Sequence, residues 1–168
     1  MAIQRLNHAV LHIRDVERGI EFYTSVLGFR VVFRLPHAAF LQAGGCTNDH
    51  DLGLFQLGAD AGGSEAGVRT VGLFHLAWEV ETLLELKDVK NRLIEAGALA
   101  NETDHGTTKS LYAQDPDGLV FEVCWLVPAE SLTGIHPQVS ATLDIDADIE
   151  RFGTQTLSGT GISTALPR

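Results

Sequence analysis

Cysteine is scarce in this chain: only Cys46 and Cys124 occur, too few for a disulfide framework, so a packed core must hold the fold. Cationic residues are also few, with 12 Lys and Arg against 22 Asp and Glu and a net charge of −10. Phosphate recognition needs a basic face, so nucleic acid is excluded as the expected partner. No apolar run reaches the roughly 18 to 20 residues of a membrane span. The opening MAIQRLNHAV runs straight into a strand pattern, without the charged-then-apolar plan of a signal peptide. The expectation is a cytoplasmic protein with no membrane partner. What is present is ordinary for a globular chain: 168 residues, 45% hydrophobic and 20% charged, enough for one domain or two small halves.

Periodicity organises the chain twice in the same way. LNHAVLHI, residues 6 to 13, alternates as a strand does; VERGIEFYTSVLG then places Ile20, Phe22, Tyr23, Val26 and Leu27 at helical spacing, with Gly28 as the stop. Strands are predicted at 29–35, 38–43 and 51–58, separated by Pro36 and the turn cluster GGCTND. After the connector GADAGGSEAG the order recurs: strand 71–80, helix 83–97 ending in Gly97, and strands near 98–101, 107–114 and 118–127. The reading is α+β, one βαβββ module over 3–58 and a duplicate over 71–127. Residues 129–168 form an extension expected to wrap the surface or a partner subunit. Its acidic run at 144–150 reads as a solvated helix face, and its polar end as partly disordered.

One residue is out of keeping with its surroundings. LVFEVCWL places Glu122 alone in an apolar strand, and burying a lone carboxylate costs several kcal/mol unless a cation or strong donors compensate it. His8 and His75 occupy matching places at the start of each module. A single such histidine reads most simply as a satisfied interior residue. Strand parity, however, turns His8, His75 and Glu122 away from the helix-facing residues, Ala9, Leu11 and Ile13 in one strand and Phe121, Val123 and Trp125 in another. Two imidazoles and one carboxylate form the donor set that suits divalent iron with open positions.

The stretches LNHAVLHIRDVERGIEFYTSVLGFRVV, GLFHLAWEV and LYAQDPDGLVFEV resemble the vicinal oxygen chelate superfamily, which comprises glyoxalases, bleomycin-resistance proteins and extradiol dioxygenases. The resemblance implies a domain over 1–128 whose two modules form a cupped mixed sheet around a divalent metal, with helices on the outer face. It also directs attention to a fourth position. The interval from His75 to Glu122, counted on from His8, arrives at Phe55, with Gln56 one step further. Phe55 there resembles the three-ligand dioxygenases; Gln56 resembles the four-ligand glyoxalases and epimerases.

His50 in DHDLGLF, His105 in DHGTTKSLY and Tyr112 resemble the catalytic residues around the metal in ring-cleaving members. Tyr112 and Glu122 flank DPDG, a turn that would make their strands a hairpin and the two residues near neighbours. The resemblance thus implies an Fe(II)-dependent extradiol dioxygenase, manganese(II) being the second choice of metal, which acts on a small catecholic substrate with O₂. A homodimer is expected, since such sheets leave edges that neighbours cover. Three rivals remain. The first is a lyase or isomerase with Gln56 as fourth ligand. The second is a fosfomycin-resistance transferase, disfavoured by Val10 where a threonine is usual and by the negative charge. The third is a drug-binding protein of the bleomycin-resistance type, which needs no metal ligands.

Overall fold

The computed structural model describes residues 3–67, 69–137 and 141–163. They group into two compact units: one runs to Ser64 and takes in Asp115–Gly118, and the other comprises Glu65–Gln114 and everything from Leu119 onward. Each unit contains one βαβββ module, eight strands and two helices in all, as the periodicity predicts.

In the first unit β1 (Ala9–Ile13) leads into α1 (Val16–Ser25), followed by β2 (Arg30–Leu35), β3 (Ala38–Gln42) and β4 (Leu52–Gln56). Asp15 starts the helix by accepting the Arg18 backbone N–H at 3.0 Å, satisfying one of the donors that a helix N-terminus leaves unpaired. The sheet order is β1-β4-β3-β2, with β1 parallel to β4 and the other pairs antiparallel. Alternation sorts its faces. Ala39, Leu41, Leu52 and Leu54 are fully buried, and Val16 and Tyr23 of α1 are buried with them. At Gly19 an added Cβ would fall 2.7 Å from Ile13 Cδ1 and 3.2 Å from Leu54 Cδ1, so a side chain there would have to displace the ends of two core residues. The opposite parity carries aromatics: Phe40 has Phe33 and Phe55 at ring separations of 6.0 and 5.8 Å. Within the same unit Arg14 and Arg18 hold Asp117, and the Tyr23 hydroxyl donates to Asp115 at 3.1 Å.

The second unit repeats the order with β5 (Leu76–Glu79), α2 (Leu83–Glu95), β6 (Leu99–Asp104), β7 (Thr108–Gln114) and β8 (Val120–Leu126). Its sheet runs β5-β8-β7-β6, parallel only at β5-β8, so the duplication extends to the topology. Thr82 and Glu85 form a reciprocal capping box at the start of α2. Gly97, at φ +64, reverses the chain so that Ala98 N–H donates to Leu93 C=O.

Two boundaries differ from the sequence reading. The strand expected over 71–80 is paired only from Leu76, which leaves Phe74 exposed rather than against the helix. Conversely β6 extends to Asp104, because a bulge between Leu99 and Asn101 restores its pairing with β7.

Beyond β8 a short 3₁₀ turn (Ala129–Ser131) and α3 (Ile145–Phe152) follow. The acidic run does form a helix, but not an entirely solvated one: Asp148 is buried, with its carboxylate 3.0 Å from Lys109 Nζ. Phe152 packs on Trp125 at 5.4 Å. The disorder expected at the chain's extreme end concerns residues 164–168, outside those described.

Candidate active site

The second unit brings four of the six candidate side chains together. His75 immediately precedes β5, and its Nε2 lies 3.0 Å from Glu122 Oε2 on β8. Glu122 is buried, and its other oxygen accepts the Ser110 hydroxyl at 2.5 Å. The DPDG turn makes the predicted hairpin, and Tyr112 on β7 pairs directly with Glu122. The Tyr112 ring meets His75 edge-on at 5.6 Å, and its hydroxyl stands 3.0 Å from His105 Nε2. Burial, and after it the Glu122 charge, raises the Tyr112 pKa above its ordinary value, so this hydroxyl keeps its proton at neutral pH. The same two causes, joined by Glu79, push the Cys124 thiol up to about 12. A buried, protonated thiol is packing material rather than a nucleophile.

The first unit brings the remaining two together. His8 immediately precedes β1, exposed, with its ring 4.4 Å from that of His50. Both imidazoles have an oxygen acceptor at Nδ1: Asn7 Oδ1 at 2.8 Å for His8 and Asp49 Oδ2 at 2.7 Å for His50. An acceptor at Nδ1 puts the proton there and leaves Nε2 with a free lone pair in the neutral ring. The Asn7 backbone is itself fixed, since the buried Asn48 donates to its carbonyl at 2.7 Å while also donating to Asp51.

Register corrects the equivalence drawn from counting residues. In the first unit β1 aligns Val10 with Gly53; in the second β5 aligns Ala77 with Glu122, each pair two residues past the module's histidine. Gly53, not Phe55 or Gln56, therefore stands where Glu122 stands. The count misled because the segment between the opening histidine and the last strand is two residues longer in the second module than in the first. Gln56 is otherwise engaged: its Oε1 accepts the Val16 N–H at the start of α1.

Sequence reasoning missed Ser110 and Asn7. Ser110 shares strand parity with Tyr112, two residues away, which was the available signal for it; an asparagine beside a candidate ligand was the signal for Asn7.

The donor chemistry suits a divalent transition metal. His75 Nε2 and Glu122 Oε2 are at hydrogen-bond distance, 3.0 Å, and two donors about 2.1 Å from one octahedral ion and adjacent on it also stand about 3.0 Å apart, so the pair can take an ion with little rearrangement. His75 Nδ1 is buried without a hydrogen-bond partner, so, unlike in His8 and His50, no acceptor at Nδ1 fixes this ring's tautomer. Among the described residues, no three His, Cys, Asp or Glu side chains stand close enough to form a complete metal-binding group. No described helix is long and apolar enough to cross a membrane.

Comparison with known proteins gives a consistent picture. Residues 5–123 match the model of the Glyoxalase/Bleomycin resistance protein/Dioxygenase superfamily. The chain is 34% identical over 143 residues to biphenyl-2,3-diol 1,2-dioxygenase 3 of Rhodococcus globerulus, covering 82% of this chain and 73% of that protein. It is 30% identical over 155 residues to catechol-2,3-dioxygenase of Bacillus subtilis, covering 89% of this chain but only 53% of the relative, so it spans about half of that protein's length. Among solved structures, a glyoxylase/bleomycin resistance protein/dioxygenase domain from Frankia sp. EAN1pec superposes with a TM-score of 0.62 at 22% identity, covering 76% of this chain and 96% of that one. The two four-stranded mixed sheets with helices are the fold of that group, and the chain belongs to the glyoxalase/bleomycin resistance protein/dioxygenase superfamily.

Proposed function

We propose that the protein is a metal-dependent dioxygenase of the extradiol type, cleaving the ring of a small catecholic substrate. The observation that carries this reading is the His75–Glu122 pair at 3.0 Å with Tyr112 directly across the hairpin and His105 on its hydroxyl. Two relatives named as dioxygenases of biphenyl-2,3-diol and catechol support it. His75 and Glu122 would hold the metal; iron(II) is the proposed ion and manganese(II) the second choice. Such an ion supplies a site where a catechol and O₂ can meet and exchange electrons.

The chain's own groups do the rest. Ser110 fixes the free oxygen of Glu122, so the carboxylate presents Oε2 alone. Tyr112 keeps its proton and offers a hydrogen bond to a substrate oxygen, while His105 Nε2 steadies that hydroxyl from 3.0 Å. His50, with Nδ1 held by Asp49 and a buried Nε2 that has no hydrogen-bond partner, is suited to accept or return a proton. The rival lyase reading loses its fourth ligand to the α1 N-terminus, where Gln56 is bound.

Strands β1 and β2 end the first sheet, and a homodimer is the proposed working form; light scattering in solution measures it. The activity test is metal analysis followed by oxygen uptake with a panel of catechols. Iron-loaded protein should consume O₂ with at least one of them, and His75→Ala should consume none. Absence of uptake with every catechol by iron-replete protein overturns the reading.

A further inference from the structure

We propose that Asp148 is a positioning residue for the site, acting from α3 through Lys109 and Asp104 on the turn that carries His105. The proposal rests on the reading that His105 and Tyr112 serve the reaction. It concerns a helix beyond the residues that the superfamily model matches.

Lys109 is on β7, on the parity opposite to Ser110 and Tyr112, and its side chain is 3% exposed. Its Nζ lies 2.8 Å from Asp104 Oδ2 and 3.0 Å from Asp148 Oδ1, above the Phe152 ring. Asp104 ends β6 and is held from four directions. Its N–H and C=O both pair with Ala141, at 2.9 and 3.0 Å. Its carboxylate accepts the Gly106 N–H at 2.6 Å on one oxygen and faces Lys109 on the other. The next residue is His105, whose N–H is bonded to Thr108 C=O and whose ring reaches the Tyr112 hydroxyl.

Apolar packing would stabilise this place at least as well, because a buried ion pair repays its desolvation poorly. What the charges add is direction. One ammonium between two carboxylates sets the β6–β7 turn at a fixed distance from α3, and with it the approach of His105 to Tyr112. The segment around residues 141–152 is thus a brace for the site rather than an appendage.

The experiment separates bracing from bulk stability. In Lys109→Met/Asp148→Leu the ion pair becomes an apolar contact, and Asp148→Asn keeps the side chain's shape while removing its charge. Each is compared with wild type by calorimetry, by ¹⁵N NMR of the His105 ring at fixed pH, and by kinetics of the iron-loaded enzyme with the preferred catechol. Tyr112→Phe supplies the reference for a ring without its hydroxyl partner, and Glu150→Gln on the exposed side of α3 is the control.

The expected result is a cooperatively folded variant whose His105 Nε2 resonance moves to the Tyr112→Phe position. With it, kcat falls about tenfold to a hundredfold, the scale of a small misplacement, with KM nearly unchanged. A wild-type His105 signal in either folded variant overturns the proposal, whatever the melting temperature. Should no catechol be turned over by wild type, the dioxygenase reading fails while the NMR comparison still decides this one.

Discussion

Replacing Ser110 by alanine removes one hydroxyl and leaves Glu122 Oε1 without its donor. Ser110 is 0% exposed and Glu122 only 8%, so water cannot take the vacated place without opening the β7–β8 sheet. A hydrogen bond to a charged group contributes about 1.5 to 3 kcal/mol, and a buried acceptor left unpaired forfeits most of it. The loss in metal-free protein should therefore be about 2 kcal/mol. For a chain of this length about 1 kcal/mol moves the melting temperature by roughly 2 to 4 °C, so calorimetry should show a fall of about 4 to 8 °C. Metal affinity should weaken as well, by about tenfold to a hundredfold, because the carboxylate would no longer be oriented. Urea melts and a metal titration of the same variant measure both. A change below about 0.5 kcal/mol with wild-type metal affinity would mean that Ser110 does not orient Glu122.

Four further outcomes are expected. With its pKa near 12, Cys124 has about one thiolate in several thousand molecules at pH 8.5, so a thiol reagent should label Cys46 alone in the native protein and both cysteines after denaturation. Gly159→Ala would put a Cβ 2.4 Å from Pro128 Cα; backbone cannot yield cheaply, and denaturant melts should record a loss of about 1 to 3 kcal/mol. Gln56→Leu removes the acceptor of Val16 N–H and should cost about 1 kcal/mol in stability while metal stoichiometry and affinity stay unchanged; a lost metal would return Gln56 to the ligand set. Burial first, then Asp115, raises the Tyr23 pKa well above its usual value. The folded state therefore retains a proton that the unfolded chain releases above about pH 10, so stability should fall as pH rises beyond that point. In Tyr23→Phe that part of the alkaline decline should vanish from the pH profile.

Much of this was legible because local rules and the fold agree. Gly28 and Gly97 stop their helices, and DPDG closes a hairpin that sets Tyr112 against Glu122. A lone acid in LVFEVCWL is a strong signal, since only a partner explains it. Other features depend on distances along the chain that no periodicity fixes. Counting from the histidines reached Phe55 and Gln56, whereas pairing in the sheet selects Gly53, because insertions in loops alter the count without altering register. Asp148 was missed for another reason. In DIDADIE helical spacing sets Asp148 on one face with Ile145, Ile149 and Phe152, a signal that the reading of the whole run as solvated passed over, but only long-range packing names Lys109 as its partner.

Gly53 has a consequence for how the two halves differ. A Cβ at that position would meet Val10 Cγ2 and Phe55 Cε2, both at 3.3 Å, so a side chain there needs both neighbours to give by a few tenths of an ångström. Val10 and Phe55 are each part-exposed, and shortening them would make the room. Rebuilding the carboxylate of the second half in the first is therefore a matter of two adjacent side chains rather than of the backbone, which already offers the same register.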